Sequence, residues 1–139
     1  MKRYLLDTSL VASFLHGRPK ALALISPLVR NGQAATSMLV YGEVIEYLKG
    51  LARFGEYKTR LQTLFQLEQI TPYPLTYEIL EQYADIRRTL RPLHQEIGDI
   101  DTLIAATDLE ENMTVLTIDR DFERVPDLNV KIIDLKKAA

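Results

Sequence analysis

Short apolar runs alternate with longer segments of helical period along this chain, and this alternation limits the possible folds more than any other feature. Tyr4, Leu5 and Leu6 form one such run, which Asp7 ends, as in a buried strand that leads into a capped helix. Strands are predicted over residues 3–7, 33–36, 70–71, 114–118 and 130–133, the third being ended by the prolines at 72 and 74. Helices are predicted near residues 10–15, 20–30, 37–51, after Gly55, 76–90 and 99–112. The pattern predicts an α/β sandwich around a mostly parallel sheet.

The composition is that of one ordinary globular domain, which we expect to span residues 1–139. The hydrophobic share is 47%, the charged share 26% and the net charge −2, so any attraction to nucleic acid must come from local basic patches. The absence of cysteine excludes disulfides and thiolate metal sites and suits a reducing cytoplasm, where we expect the protein. The short apolar run before Asp7 does not match a signal peptide, and no segment approaches transmembrane length.

The segment from Gly98 to Ala106 places two carboxylates, Asp99 and Asp101, at the predicted start of a helix. One interpretation is that both aspartates cap the helix and favour the positive end of its dipole. One cap is enough for a helix, however, so the second interpretation is that Asp101, inside the first turn, is directed at a metal ion. That interpretation requires further acidic residues from elsewhere in the chain.

Three other acidic residues are expected near Asp101. Asp7 and Asp119 end predicted strands, and Glu43 lies near the start of the helix that Ser37 caps. In a parallel sheet the helices start at the edge where the strands end, so the four carboxylates should meet at that edge. Gathered carboxylates repel one another, and a divalent cation is the simplest compensation for their charge.

The expected ion is Mg²⁺ or Mn²⁺, since these hard cations prefer oxygen ligands. His16 and His94 are isolated in the sequence and are interpreted as surface or turn residues. Such a centre stabilises charge on a phosphoryl group and activates a water molecule, which favours phosphodiester hydrolysis.

Four stretches of the sequence resemble the PIN domain family, and within it the small VapC-type toxins. They are LLDTS at residues 5–9, TSMLVYGEV at 36–44, IGDIDTLIAAT at 97–107 and TVLTIDRDFERVPDLNV at 114–130. The resemblance implies a three-layer α/β/α sandwich and a metal-dependent endoribonuclease that acts on single-stranded RNA. It further implies inhibition by a cognate antitoxin and assembly as a homodimer.

The resemblance also implies roles for individual residues. Asp7, Glu43, Asp101 and Asp119 correspond to the four family acids, in that order. Asp7, Asp101 and Asp119 would bind the metal, with Glu43 supporting the metal or the water. Thr117 matches a strand-end hydroxyl residue that would fix a carboxylate or a bound water. Two neighbouring acids have open roles: Asp99 is expected to be a helix cap, and Asp121 could share the role of Asp119.

Other charged residues receive no role in the site. Asp108 lies on the same helix face as Asp101 but two turns away, and we expect it to be exposed. Arg87, Arg88 and Arg91 are interpreted as part of a solvated helix face, while Arg120 and Arg124 are the preferred candidates for phosphate contacts.

Two other functions fit parts of the pattern. A Mg²⁺-dependent phosphatase of the haloacid dehalogenase type would need a second aspartate two residues after the first, but position 9 is Ser. A non-catalytic PIN-fold binding module would keep the acids for stability or to hold an arginine of a partner.

Overall fold

A five-stranded sheet, parallel at every pairing, forms the centre of the computed structural model, which describes residues 1–135. Its strands are β1 (Tyr4–Leu6), β2 (Ala34–Ser37), β3 (Thr71–Tyr73), β4 (Thr114–Thr117) and β5 (Val130–Ile132). They lie side by side in the order β3-β2-β1-β4-β5. The last four residues of the predicted domain, 136–139, lie outside the described range.

Six α-helices connect the strands in the described part of the chain. They are α1 (Thr8–Leu15), α2 (Pro19–Arg30), α3 (Met38–Leu48), α4 (Phe54–Gln66), α5 (Tyr77–Leu90) and α6 (Asp99–Glu111). Short 3₁₀ helices follow at Arg91–Leu93 and Arg120–Arg124. None of the helices within residues 1–135 combines the length and apolar composition needed to cross a bilayer.

The strand order places these helices in two layers. From β1 through β2 to β3 the chain moves toward one edge of the sheet, and from β3 to β4 it returns past β1. Because parallel crossovers are right-handed, α1 to α4 lie on one face and α5 and α6 on the other. The packing agrees, since α1 contacts α2, α3 and α4 while α5 packs along α6. The predicted three-layer α/β/α fold is confirmed.

The strand and helix boundaries agree with the predicted ones to within a few residues, with one informative exception at β3. The prolines were expected to end this strand, but Pro72 lies inside it, paired with Thr36 of β2. Proline has no backbone N–H, and in a central strand each N–H faces one of the two neighbouring strands and needs an acceptor there. In β3, at the edge of the sheet, a residue whose N–H would face the open side needs no acceptor.

Asp108 on α6 is buried rather than exposed as expected. Only 1% of its surface is accessible, and its Oδ1 atom has no hydrogen-bond partner among residues 1–135. Because water is excluded from the charged form, burial raises the pKa of Asp108 to about 7. The prediction failed because α6 is covered on two sides, by α5 and by the sheet.

Asp108→Asn should therefore stabilise the fold above neutral pH. The folded-state pKa of about 7 exceeds the ordinary value of 3.8, so the unfolded chain binds fewer protons and stability falls as pH rises between these values. The full effect is at most about 4 kcal/mol, at about 1.4 kcal/mol per pH unit. Urea denaturation across pH should show a gain for the variant that disappears in acid. Equal pH profiles for the variant and wild type would contradict this, and the exposed Asp85→Asn is the control.

Candidate active site

Strands β1 and β4 are neighbours at the centre of the sheet, and the chain leaves them in opposite directions. After β1 it proceeds to β2, and after β4 it proceeds to β5 on the other side. Crevices of parallel sheets form outside the carboxyl ends of strands at such a reversal point. Asp7 directly follows β1, and Asp119 lies two residues beyond β4.

Asp7 is the most buried of the predicted site residues, with 4% of its surface exposed. It caps α1: Oδ1 accepts hydrogen bonds from the Leu10 N–H at 3.1 Å and from the Ser9 hydroxyl at 2.8 Å. Oδ2 accepts a hydrogen bond from the Thr117 hydroxyl. Burial nevertheless raises the pKa of Asp7, because these donors offset only part of the lost hydration.

Thr117 links the two strand ends. Its hydroxyl donates to Asp7 and accepts a hydrogen bond from the backbone N–H of Asp119 at 2.9 Å. Asp119 in turn caps the following 3₁₀ helix, where its Oδ1 accepts from the N–H of Asp121 at 2.8 Å. A single buried hydroxyl thus fixes the Asp7 carboxylate and the backbone position of Asp119.

Asp101 lies in the first turn of α6 and is half-buried. Its side chain forms no hydrogen bond and no ion pair within residues 1–135. Burial, followed by the charges of Asp7, Asp119, Glu43 and Asp121, raises the pKa of Asp101 to about 6. The structure therefore brings the four predicted acids together, as the strand and helix positions indicated.

Glu43 reaches the site from α3 and is half-buried. Its Oε1 accepts a hydrogen bond from the hydroxyl of Thr8, the first residue of α1. This hydrogen bond joins Glu43 to α1, the helix that Asp7 caps. It therefore limits how far one carboxylate can move relative to the other.

The expected helix cap at Asp99 is wrong. Gly98 occupies the cap position of α6, and no side chain caps the helix. The Asp99 carboxylate instead accepts a hydrogen bond from Arg87 on α5 at 2.7 Å, and a long one from the Tyr83 hydroxyl at 3.4 Å. Since this aspartate is bound to α5, it does not supply the charge that surrounds Asp101.

Asp121 lies close to Asp119, the fourth of the expected site acids, and could share its role. Its charge contributes to the raised pKa of Asp101, after that of Asp119. However, Arg124 forms an ion pair with Asp121 at 3.2 Å. Among residues 1–135 no such cation pairs with Asp119, which leaves Asp119 the stronger candidate for the fourth acid.

The two histidines lie in different surroundings. His94 is exposed at a left-handed turn position with φ of 54°, as expected for a turn residue. His16 ends α1 and packs edge-on against the rings of Tyr47 and Tyr57, with Nε2 buried and without a hydrogen-bond partner among residues 1–135. His16 is therefore a packed residue rather than a surface one.

The donor set fits a hard divalent cation by charge. Asp7, Glu43, Asp101 and Asp119 form no ion pair with any basic residue among residues 1–135, and their own donors are hydroxyls and backbone N–H groups. Within the same range, no three Asp, Glu or His side chains are already arranged to hold a metal ion. A bound cation would thus have to draw the carboxylates closer together.

Sequence reasoning missed the two hydroxyls beside Asp7. The Thr8 hydroxyl donates to Glu43 and the Ser9 hydroxyl donates to Asp7, although neither residue was expected to take part in the site. Their position directly after the first acid was the available signal. The Arg87 partner of Asp99 had no comparable signal, because it depends on how α5 packs along α6.

The chain matches a known protein family over most of its length and is similar to a curated relative. A family model described as PIN domain matches residues 4–128. Ribonuclease VapC19 of Mycobacterium tuberculosis is 31% identical over 127 residues, which cover 89% of this chain and 95% of the relative.

Solved structures share the fold. VapBC2 from Rickettsia felis, bound to a promoter DNA fragment, matches with a TM-score of 0.81 at 22% identity over 94% of this chain and 98% of the other. VapBC-5 from Mycobacterium tuberculosis, a member of the VapBC family of toxin-antitoxin systems, matches with a TM-score of 0.66 at 22% identity over 96% and 98%.

Thr117→Val should weaken binding of Mn²⁺ about ten- to hundredfold, as is usual when a group that orients a metal ligand is removed. Valine has a similar shape but cannot donate to Asp7 or accept from Asp119. Isothermal titration calorimetry measures the affinity, and Thr117→Ser, which keeps the hydroxyl, should bind nearly as wild type does. Unchanged Mn²⁺ affinity in the valine variant would show that this hydroxyl does not position a ligand.

Proposed function

Because the chain belongs to the PIN domain family, we propose that it is a metal-dependent endoribonuclease and the toxin of a toxin-antitoxin pair. The observation that carries the proposal is the convergence of four carboxylates around Asp101 without a compensating basic residue among residues 1–135. The similarity to a curated ribonuclease supports the activity, and the similarity to VapBC structures supports an antitoxin as partner.

Asp7, Asp101 and Asp119 would hold the ion, with Glu43 supporting the ion or the attacking water. PIN-domain ribonucleases are in general dependent on divalent metals, and Mg²⁺ or Mn²⁺ suits this all-oxygen donor set. When bound, such an ion stabilises the negative charge that builds on the phosphoryl group and makes water a better nucleophile at neutral pH.

The residues of the chain provide the geometry of hydrolysis. In this reaction a water oxygen bonds to phosphorus, one P–O ester bond breaks, and a proton passes to the departing oxygen. The hydrogen bonds from Thr117 and Ser9 hold Asp7 in a fixed orientation, and Thr8 does the same for Glu43. Each carboxylate therefore keeps its position as the charge on phosphorus changes, which lowers the cost of reorganisation.

The phosphatase alternative gains no support from the site. Position 9, where that class needs an aspartate, is a serine whose hydroxyl donates to Asp7. We propose that the protein acts on RNA in the cytoplasm, a reducing compartment that suits a chain without cysteine. From the family resemblance, we also expect it to form a homodimer.

Asp101→Asn and Asp7→Asn should each slow cleavage of a labelled bacterial RNA in Mg²⁺ by about a hundredfold or more, the scale on which losing one preorganised group slows enzymes. Asparagine at position 7 retains a helix cap, so α1 should persist. Asp85→Asn removes one exposed carboxylate on α5 and should cleave as wild type does. Full activity of both site variants would refute the proposal.

A further inference from the structure

Helix α5 carries a basic face that the active site does not use. Arg87 and Arg88 lie in its last turn, and Arg91 begins the 3₁₀ helix that follows it. At about 100° per residue, Tyr83 and Arg87 lie about 40° apart around the helix, while Glu78, Glu81 and Asp85 lie about 120° to 180° from Arg87. The side of α5 that Tyr83 and Arg87 share is therefore free of acidic residues of this helix, whereas Arg88 lies closer to the acidic side.

This basic face lines an open groove of about 580 Å³. The lining residues are Tyr83, Ala84, Arg87, Arg88, Arg91 and Pro92. The guanidinium of Arg87 lies 5.5 Å from the centre of the Tyr83 ring, so the groove combines positive charge with an aromatic surface.

Two of its three arginines have no counter-charge within residues 1–135. Arg88 and Arg91 are exposed and form no ion pair there, whereas Arg53, Arg120 and Arg124 each pair with a nearby carboxylate. In a chain of net charge −2, this groove is a local basic patch of the kind that can bind an anion.

The groove adjoins the carboxylate centre. Arg87 pairs at 2.7 Å with Asp99, the first residue of α6, and Asp101 follows two residues later. Residues two apart point about 200° apart around a helix, so Asp99 faces the groove while Asp101 lies on the opposite side of the same turn, about 10 Å across. An RNA strand held by phosphates in the groove would pass around the start of α6 to reach the acids.

We infer that the groove binds the backbone of single-stranded RNA, with Arg88 and Arg91 contacting phosphates and Tyr83 offering a surface on which a base stacks. The inference rests on the proposed function and assigns its substrate-binding surface. The four acids repel the RNA backbone, so adjacent cations are needed to bring a phosphate near them. An aromatic ring beside arginines is the combination used for single strands, whereas an acidic protein segment needs only the charge.

Binding of a fluorescein-labelled single-stranded RNA in EDTA tests this without cleavage. The double variant Arg88→Gln and Arg91→Gln should lower the slope of log Kd against log salt by about 1.4 and weaken binding about 25-fold at about 0.1 M salt, from about 0.7 per phosphate. The matched control, Lys2→Gln with Lys131→Gln, removes equal charge from another cavity, lined also by Thr114 at the start of β4, and should bind as wild type does.

The slope decides the inference. A slope unchanged in the groove variant, or reduced equally in the control, overturns it. Loss of polyglutamate binding with unchanged RNA binding also overturns it and assigns the groove to an acidic protein. The expected slope change in a protein that does not cleave RNA would leave the groove assigned and refute the nuclease proposal separately.

Discussion

Repulsion among carboxylates at the carboxyl edge of the sheet is the constraint on which this site depends. Two central parallel strands end beside each other, so Asp7 and the turn that carries Asp119 are brought together by the sheet itself. Thr117 ties them with one hydroxyl, and α6 adds Asp101, which has no protein donor among residues 1–135. Such an arrangement costs folding free energy unless a cation balances it. Burial first, and then the charges of the neighbouring carboxylates, raise the pKa of Asp101, so both contribute to that cost.

The fold maintains this arrangement through well-packed neighbours. Leu5 and Leu6, which precede Asp7, are fully buried, as is Val115 on β4, and Leu116 is nearly so. Apolar burial on this scale offsets a locally unfavourable charge cluster. The acids therefore lie on a rigid base, and small hydroxyl residues rather than lysines or arginines orient them. Because no lysine or arginine of residues 1–135 neutralises the four carboxylates, the site can accept a bound cation.

Local pattern was enough to predict the sheet and the convergence of the acids, because strand ends and helix starts share an edge in any parallel α/β fold. Contacts between distant segments were not predictable in this way. Asp99 was expected to be a cap, yet it pairs with Arg87 because α5 packs along α6. Asp108 was expected to be exposed, because nothing in the local sequence indicates that α5 packs over α6 and buries it. Pro72 lies within a strand because that strand is at the edge, a property of the whole topology.

Thermal unfolding of Asp101→Asn with and without Mg²⁺ tests the central claim most directly. The folded-state pKa of about 6 is raised, so the ionised carboxylate destabilises the fold above that pH. In metal-free buffer near neutral pH the variant should melt at a higher temperature than wild type, with the difference shrinking in acid. Mg²⁺ should raise the melting temperature of wild type and leave the variant nearly unchanged. A variant that melts lower in metal-free buffer, or that gains as much from Mg²⁺ as wild type does, would contradict the account.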